Sequence, residues 1–284
     1  MDIADLVLPA ASMLIAILQP LYTIYVAIMA VSPLLRPNTL RGTKTYHGAS
    51  IAIVIPLYME RFESIKRSLE SVARQRYPRD KLRVIIVVEE DDELSIKNLE
   101  RALRVVPLEG IRVEVLRTSC RKKGGGKHCA LNAALNRVKE EIYLVLDADD
   151  YVSGDYLGKV AYIVSLRGYT AVTTKVYREG DNIIAKFLTL DTVLWYDLAL
   201  YTLFRIGSYI PLSGEGLAVK TSYLRRIGGF PAKLTEDAYL GMLLARDKET
   251  LYYLDDEFIV ERAPRSFRAY YSRGLDGYRA TSSA

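Results

Sequence analysis

Three short apolar runs, each breaking abruptly onto acids, limit what this chain can fold into. Residues 51–55 lead into Pro56 and Glu60, residues 84–88 into Glu89, Glu90, Asp91 and Asp92, and residues 142–146 into Asp147, Asp149 and Asp150. An apolar run of about five residues without alternation reads as a strand buried on both faces. Between the runs, Phe62, Ile65, Leu69 and Val72 fall at near-helical spacing, residues 94–105 and 131–138 read as further helices, and residues 112–116 read as a fourth strand. This alternation predicts an α/β fold, a mostly parallel central sheet flanked by helices. The second half is less regular, with a strand near 171–176, a long apolar helix over about 183–204 and a helix over 238–246. Ligands of open α/β sheets collect at the carboxyl ends of the strands, where these acids stand. One acid after a strand can merely cap a helix or solvate a loop. Three such strand ends in one sheet would gather a rim of carboxylates suited to Mg²⁺ or Mn²⁺ bound together with phosphate oxygens.

The start of the chain has a different character. From Leu6 to Leu35 there is no charged side chain, a stretch of 30 residues, where a bilayer-spanning helix needs roughly 20. A cleaved signal peptide would begin with basic residues and carry a shorter apolar core, whereas this segment begins with Asp2 and Asp5. Residues 1–36 therefore read as one transmembrane anchor, with Pro9, Pro20 and Pro33 tolerated as kinks. Arg36, Arg41 and Lys44 follow it and no Lys or Arg precedes it, so the positive-inside rule predicts a single-pass protein of the cell membrane with the remainder in the cytoplasm. Residues 37–49 read as a linker, 50–264 as the main folded domain, and 265–284 as a basic and aromatic tail that lies on a membrane surface. In a reducing compartment Cys120 and Cys129 are expected as free thiols. The net charge of +5 suits anionic headgroups, and no motif points to nucleic acid. Scarce Gln and Asn beside abundant Tyr, Arg and Glu lean towards a thermophilic source.

Several motifs then carry chemistry. Lys122-Lys123-Gly124-Gly125-Gly126-Lys127 precedes a helix starting near His128, and such an N-terminus offers backbone N–H and ammonium groups to a diphosphate. It is not a P-loop, because Arg121 stands at the first glycine position and His128 where Ser or Thr would be, and Cys129 takes the third glycine place of a dinucleotide fingerprint. His128 has no partner at metal-ligand spacing. Thr235 reads as the N-cap of the 238–246 helix, with Glu236 and Asp237 favourable to its dipole. Ser213-Gly214-Glu215-Gly216 and Gly228-Gly229 mark turns that either shape a pocket or connect elements.

Together these pieces resemble the family 2 glycosyltransferases of the GT-A fold, over about residues 51–264. Ile55-Pro56-Leu57-Tyr58-Met59-Glu60 is similar to that family's first strand and nucleotide-contacting acid, with Met59 replacing the usual asparagine. Glu90 matches the aspartate of its second strand, here within Glu89-Glu90 rather than Asp-Asp. Gly126-Lys127-His128-Cys129-Ala130-Leu131-Asn132 resembles its Gly-Lys-x-x-Ala-Leu-Asn segment, Asp147-Ala148-Asp149 its Asp-x-Asp motif, and Glu236-Asp237 its Glu-Asp motif.

The resemblance implies a nucleotide-sugar donor, UDP-linked by preference or GDP-linked, lying against Pro56, Tyr58, Glu60, Glu90, Gly126, Lys127, Asn132 and Asp147. It implies Mg²⁺ or Mn²⁺ on Asp149 and Asp147, Gly214, Glu215 and Glu236 on the acceptor side, and Asp237 as the base. The acceptor hydroxyl then attacks the anomeric carbon and inverts it in one displacement. The anchor points to a lipid-linked or membrane-proximal acceptor. A polyprenyl phosphate is the nearest alternative, ahead of a polysaccharide synthase fragment, a sugar-nucleotide pyrophosphorylase or a non-catalytic tethered homologue. Processive members carry Gln-x-x-Arg-Trp after the Glu-Asp helix; here Glu261-Arg262-Ala263-Pro264 follows instead, and the only tryptophan is Trp195.

Overall fold

A computed structural model describes residues 16, 18–28, 31, 43–123, 125–233 and 235–263. Eight strands form one sheet in the order β3-β2-β1-β4-β7-β6-β8-β5. In chain order they are β1 (Ile51–Leu57), β2 (Leu82–Glu89), β3 (Arg112–Thr118), β4 (Ile142–Val145), β5 (Tyr151–Val152), β6 (Ala171–Glu179), β7 (Leu217–Lys220) and β8 (Leu251–Arg262). The helices used below are α1 (Phe62–Ala73), α2 (Glu93–Val105), α3 (Lys127–Leu135), α4 over 156–166, α5 over 183–205, α6 (Thr221–Arg226) and α7 (Glu236–Arg246). Helix α5 runs through a π-helical stretch, Val193–Leu200.

Strands β1, β2 and β4 are buried on both faces because helices cover each side. Ile51, Ile53 and Ile55, with Val84, Ile86 and Leu144, meet Ile65 and Leu69 of α1 and Leu99 of α2. The alternate residues Ala52, Val54, Ile85, Val87 and Tyr143 meet Leu131 and Ala134 of α3 and Leu240 of α7 on the other face. Period-two side-chain alternation thus feeds two separate cores. The chain lays β2 and β3 on one side of β1 and then returns to place β4 on the other. That reversal opens a crevice at the carboxyl ends of β1 and β4.

The sheet is mixed: the mostly parallel expectation holds for the run β3-β2-β1-β4 and gives way at β7. β1 is parallel to β2 and β4, and β2 to β3, but β7 runs antiparallel to both β4 and β6. Leu217, the first residue of β7, pairs with Val145, the last of β4. The chain re-enters the sheet from the carboxyl rim after α5, so β7 must run against its neighbours. β8 is parallel to β6, with residues 255–257 skipped in the pairing between Thr174 and Lys175. The carboxyl ends of β1, β4, β6 and β8 consequently share one rim with the start of β7.

Among the described residues no helix is long and apolar enough to cross a membrane. Residues 18–28 are helical and exposed; the rest of the anchor expected over 1–36, save Ala16 and Val31, and the tail expected over 265–284 lie outside the described residues.

Candidate active site

The loop after β1 is clamped before it reaches the crevice. Met59, at φ 55°, donates its N–H to Asp92 (2.6 Å), and Glu60 donates its N–H to Ser95 Oγ (2.8 Å). Asp92 also accepts from the Ser95 N–H and caps α2. Burial pushes the Asp92 carboxyl up, but the bonds from Ser95 and Met59 outweigh it and hold the group below the usual range. This clamp fixes the loop from which Tyr58 and Glu60 line a cavity of about 410 Å³.

The opposite wall is the glycine-rich loop. Cys120 and Cys129 form a disulfide across it, which corrects the expectation of free thiols. Gly125 lets the chain fold back: its N–H donates to Cys120 O (2.8 Å), and a side chain there would lie 2.8 Å from Cys129 Cβ. The two Cα atoms come within 5.8 Å, inside disulfide reach. The closed loop carries Arg121, whose guanidinium sits 3.3 Å from the Tyr58 ring centroid. It ends at Gly126, the N-cap of α3, and Lys127, whose ammonium lies 2.5 Å from Asp147. Burial pulls the Lys127 ammonium down, but Asp147, Glu215 and Glu236 outweigh burial and raise it.

Asp147 and Asp149 follow β4 and both line the cavity. Asp150 turns inward, where it accepts from the Asp147 N–H (2.8 Å) and leaves its buried Oδ1 without a hydrogen-bond partner. Burial, with Asp147 and Glu215 nearby, lifts its carboxyl well above the usual range. Among the described residues no cluster of three or more His, Cys, Asp or Glu stands ready to hold a metal by itself. Two adjacent carboxylates fit an ion that brings phosphate oxygens with it, the way Mg²⁺ is ordinarily bound.

From β7 and its approach come Gly214 and Glu215. Glu215 accepts from Ser213, whose hydroxyl also accepts from Tyr196 (3.3 Å). Burial, Asp147 and Glu261 push the Glu215 carboxyl up to about 7, against the pull of Lys127 and Ser213. At the ends of β6 and β8, Arg178 is paired with Glu261, and both side chains line the cavity.

A second cavity of about 680 Å³ shares Arg121, Gly126 and Lys127 with the first and is lined further by His128, Lys233, Thr235, Glu236 and Asp237. Gly214 stands between the two. A Cβ there would lie 3.2 Å from Lys127 Nζ and 3.3 Å from Asp237 Oδ2. Burial raises the Glu236 carboxyl, with Lys127 opposing. Thr235 occupies the N-cap position of α7 but its side chain makes no capping bond; Asp237 instead accepts from the Ala238 N–H (2.8 Å).

Of the residues singled out from the sequence, Pro56, Tyr58, Glu60, Gly126, Lys127, Asp147, Asp149 and Glu215 line the first cavity, and Glu236 and Asp237 the second. Gly214 lines neither but sits against Lys127 and Asp237, and two stand elsewhere. Glu90 points to solvent, and its neighbour Glu89 lines the cavity, accepting from Thr118 Oγ1 (3.4 Å) and the Arg121 N–H (3.3 Å). Asn132 grips the backbone of Phe230 with both ends of its amide (2.7 and 2.8 Å), fastening the Gly228-Gly229 turn to α3. Arg121, Arg178 and Glu261 are cavity residues that sequence reading missed. Arg178 shared the strand-end signal, since it closes an apolar strand on the same rim.

Residues 47–280 match the family described as Glycosyltransferase like family 2. The chain is 19% identical over 196 residues to "Probable glycosyltransferase YdaM" of Bacillus subtilis (strain 168), covering 67% of this chain and 45% of that relative. Among solved structures it is similar to the mannosyltransferase PcManGT from Pyrobaculum calidifontis, in complex with GDP-Man and Mn²⁺ (TM-score 0.64, 21% identity, covering 91% of this chain and 73% of that one). It is also similar to S. aureus TarS 1-349 in complex with UDP-GlcNAc (TM-score 0.54, 18% identity, covering 78% and 60%). These likenesses show a GT-A-like α/β fold with a mixed sheet.

Proposed function

We propose that this chain, which belongs to the Glycosyltransferase like family 2, is a glycosyltransferase that moves a sugar from a nucleotide-sugar to a lipid-linked or membrane-proximal hydroxyl, inverting the anomeric carbon. The observation that carries this reading is the pair of joined cavities, one walled by Tyr58, Arg121, Lys127, Asp147 and Asp149 and the other by Glu236 and Asp237, with Gly214 at the junction.

In this reading Tyr58, Glu60 and Glu89 receive the nucleoside, while Arg121 and Lys127 meet the diphosphate. Asp149 and Asp147 would hold Mg²⁺ or Mn²⁺, whose chemistry when bound is to neutralise charge on the leaving diphosphate. Asp237 takes the proton from the acceptor hydroxyl at its carboxylate. PcManGT with GDP-Man and Mn²⁺, and TarS with UDP-GlcNAc, support a nucleotide-sugar donor and a divalent ion. The charge-free stretch 6–35 supports a single-pass anchor with the catalytic residues 50–264 on the cytoplasmic side. The Cys120–Cys129 disulfide then fits the interior of a hyperthermophile, where such bonds persist, rather than an ordinary reducing cytosol. A second reading, a polyprenyl phosphate acceptor, draws on Arg121, His128 and Lys233 in the second cavity, where a phosphate oxygen would attack with little need of a base.

A thermal-shift panel of UDP-, GDP- and dTDP-sugars with and without Mn²⁺ tests the donor. One donor should raise the melting temperature only with the ion present, because a ligand of the folded state stabilises it. A metal-dependent shift that survives Asp149→Asn overturns the assignment of that carboxylate.

A further inference from the structure

Outside the two cavities, α5 carries a row of large apolar side chains in the open. Ile183, Phe187, Leu190 and Leu194 recur at spacings that place them on one helical stripe, and they are 68, 68, 56 and 51% exposed. The opposite side of the helix is spent on the domain: Ala185, Leu188, Tyr196 and Leu200 are buried, and Asp197 accepts from Lys175 and Tyr177 of β6. Past the helix, Tyr209 donates to Ala238 O (3.3 Å). Tyr239 and Met242 of α7, close to Asp237 in sequence, are exposed as well.

The two ends of the described domain lie at the two ends of this helix. At its start, Ala263 donates its N–H to Glu179 O (2.8 Å), and a side chain on Gly180 would touch both Ala185 and Ala263. The sequence that follows sets Phe267, Tyr270 and Tyr271 among Arg265, Arg268 and Arg273. At its far end, Phe204 packs edge-on against Tyr252 (5.2 Å), and the Thr43 side chain lies beside Tyr252 and donates to Asp256 of the same strand (3.3 Å). Residues 36–42, seven in all, join Thr43 to the charge-free stretch and reach at most about 25 Å. A basic, aromatic sequence and an uncharged one therefore enter at opposite ends of one bare apolar stripe.

We propose that α5 is an in-plane docking element, its stripe resting on the surface of a bilayer that contains anionic lipid. The inference rests on the anchored reading given above. It sets the Asp237 cavity at headgroup level, where the hydroxyl of a lipid-linked acceptor is presented.

Trp195, the only tryptophan in the chain, is 45% exposed on this helix and reports its surroundings directly. The 284-residue chain is reconstituted into phosphatidylcholine–phosphatidylglycerol vesicles with and without brominated acyl chains. The expected result is a blue-shifted Trp195 emission that the bromine quenches, as it also quenches Phe187→Trp made together with Trp195→Phe. Quenching of Trp195 should be lost in the Phe187→Glu, Leu190→Glu double variant, with circular dichroism and melting unchanged. Emission untouched by bromine at both tryptophan positions overturns the inference. A blue shift that the bromine leaves unquenched marks a second copy or residues 264–284 as the cover. Alkaline carbonate extraction reads the anchor separately: a chain that resists extraction but is not quenched keeps the anchor and loses this face, whereas one quenched before extraction and released by it keeps the face and loses the anchor.

Discussion

In β1, β2 and β4 every residue except Pro56 is buried, and their functional groups hang on short loops just past the strand ends. β6 and β8 are built otherwise. The end of β8 alternates between buried and open positions, β6 opens over its last three residues, and both hold polar groups in pairs with partners distant in sequence, Arg178 with Glu261 and Lys175 with Asp197. The parallel half presents a fixed floor with interchangeable loops, the ordinary way such sheets carry function. The mixed half shapes the other wall with side chains whose positions depend on one another. Changes on the first half should therefore act one residue at a time, and changes on the second should spread.

The largest effect is expected at the junction of the halves. Asp237→Asn should lower kcat by up to about 10⁴-fold, as loss of a general base does, with the melting shift given by the donor unchanged. A loss of that shift would mean that the two walls do not act separately. Asp149→Asn should lower kcat/KM by about 10²–10³-fold and remove the ion's contribution to donor binding, without altering the melting temperature of the free protein. Gly214→Ala, which presses a methyl group on both Lys127 Nζ and Asp237 Oδ2, should cost about tenfold in kcat through displacement of the two groups. Stopped-flow donor binding and steady-state rates together show whether both walls move.

A smaller effect concerns pH. Because the folded chain lifts Glu215 from 4.5 to about 7, it holds a proton there that the unfolded chain releases. That contribution to stability is complete below the ordinary glutamate range and is lost as pH rises through about 7. Melting curves in EDTA should show this fall, and Glu215→Gln should flatten it. The smallest effect on catalysis is expected from Cys120→Ser with Cys129→Ser. The melting temperature should drop by an amount matching about 2–3 kcal/mol for a loop this short, with kcat little changed.

The parallel half was largely legible in the sequence because each of its strands is one uninterrupted apolar run ending in acids. The same uniformity concealed one detail. In a strand buried on both faces no alternation marks which side a residue faces, so residues 84–88 gave no sign that Glu89 rather than Glu90 turns to the cavity. The mixed half was harder to read. β8 escaped notice because Asp255, Asp256 and Glu257 interrupt its apolar pattern, and these are the residues that the pairing with β6 skips. Asn132 looked like a cavity residue because its segment resembled one, but its partner Phe230 lies 98 positions away. Arg178 and Glu261, 83 positions apart, likewise meet only through strand order.

The disulfide between Cys120 and Cys129 encloses the segment that carries Arg121 and Lys127. An open loop must surrender its conformational freedom each time it wraps a ligand, and that loss is subtracted from affinity. A loop already tied into a ring has given up most of that freedom during folding. Donor capture by this wall should accordingly be a seating of preformed cations, with a small entropic cost, and the enzyme should keep its hold on the diphosphate as temperature rises.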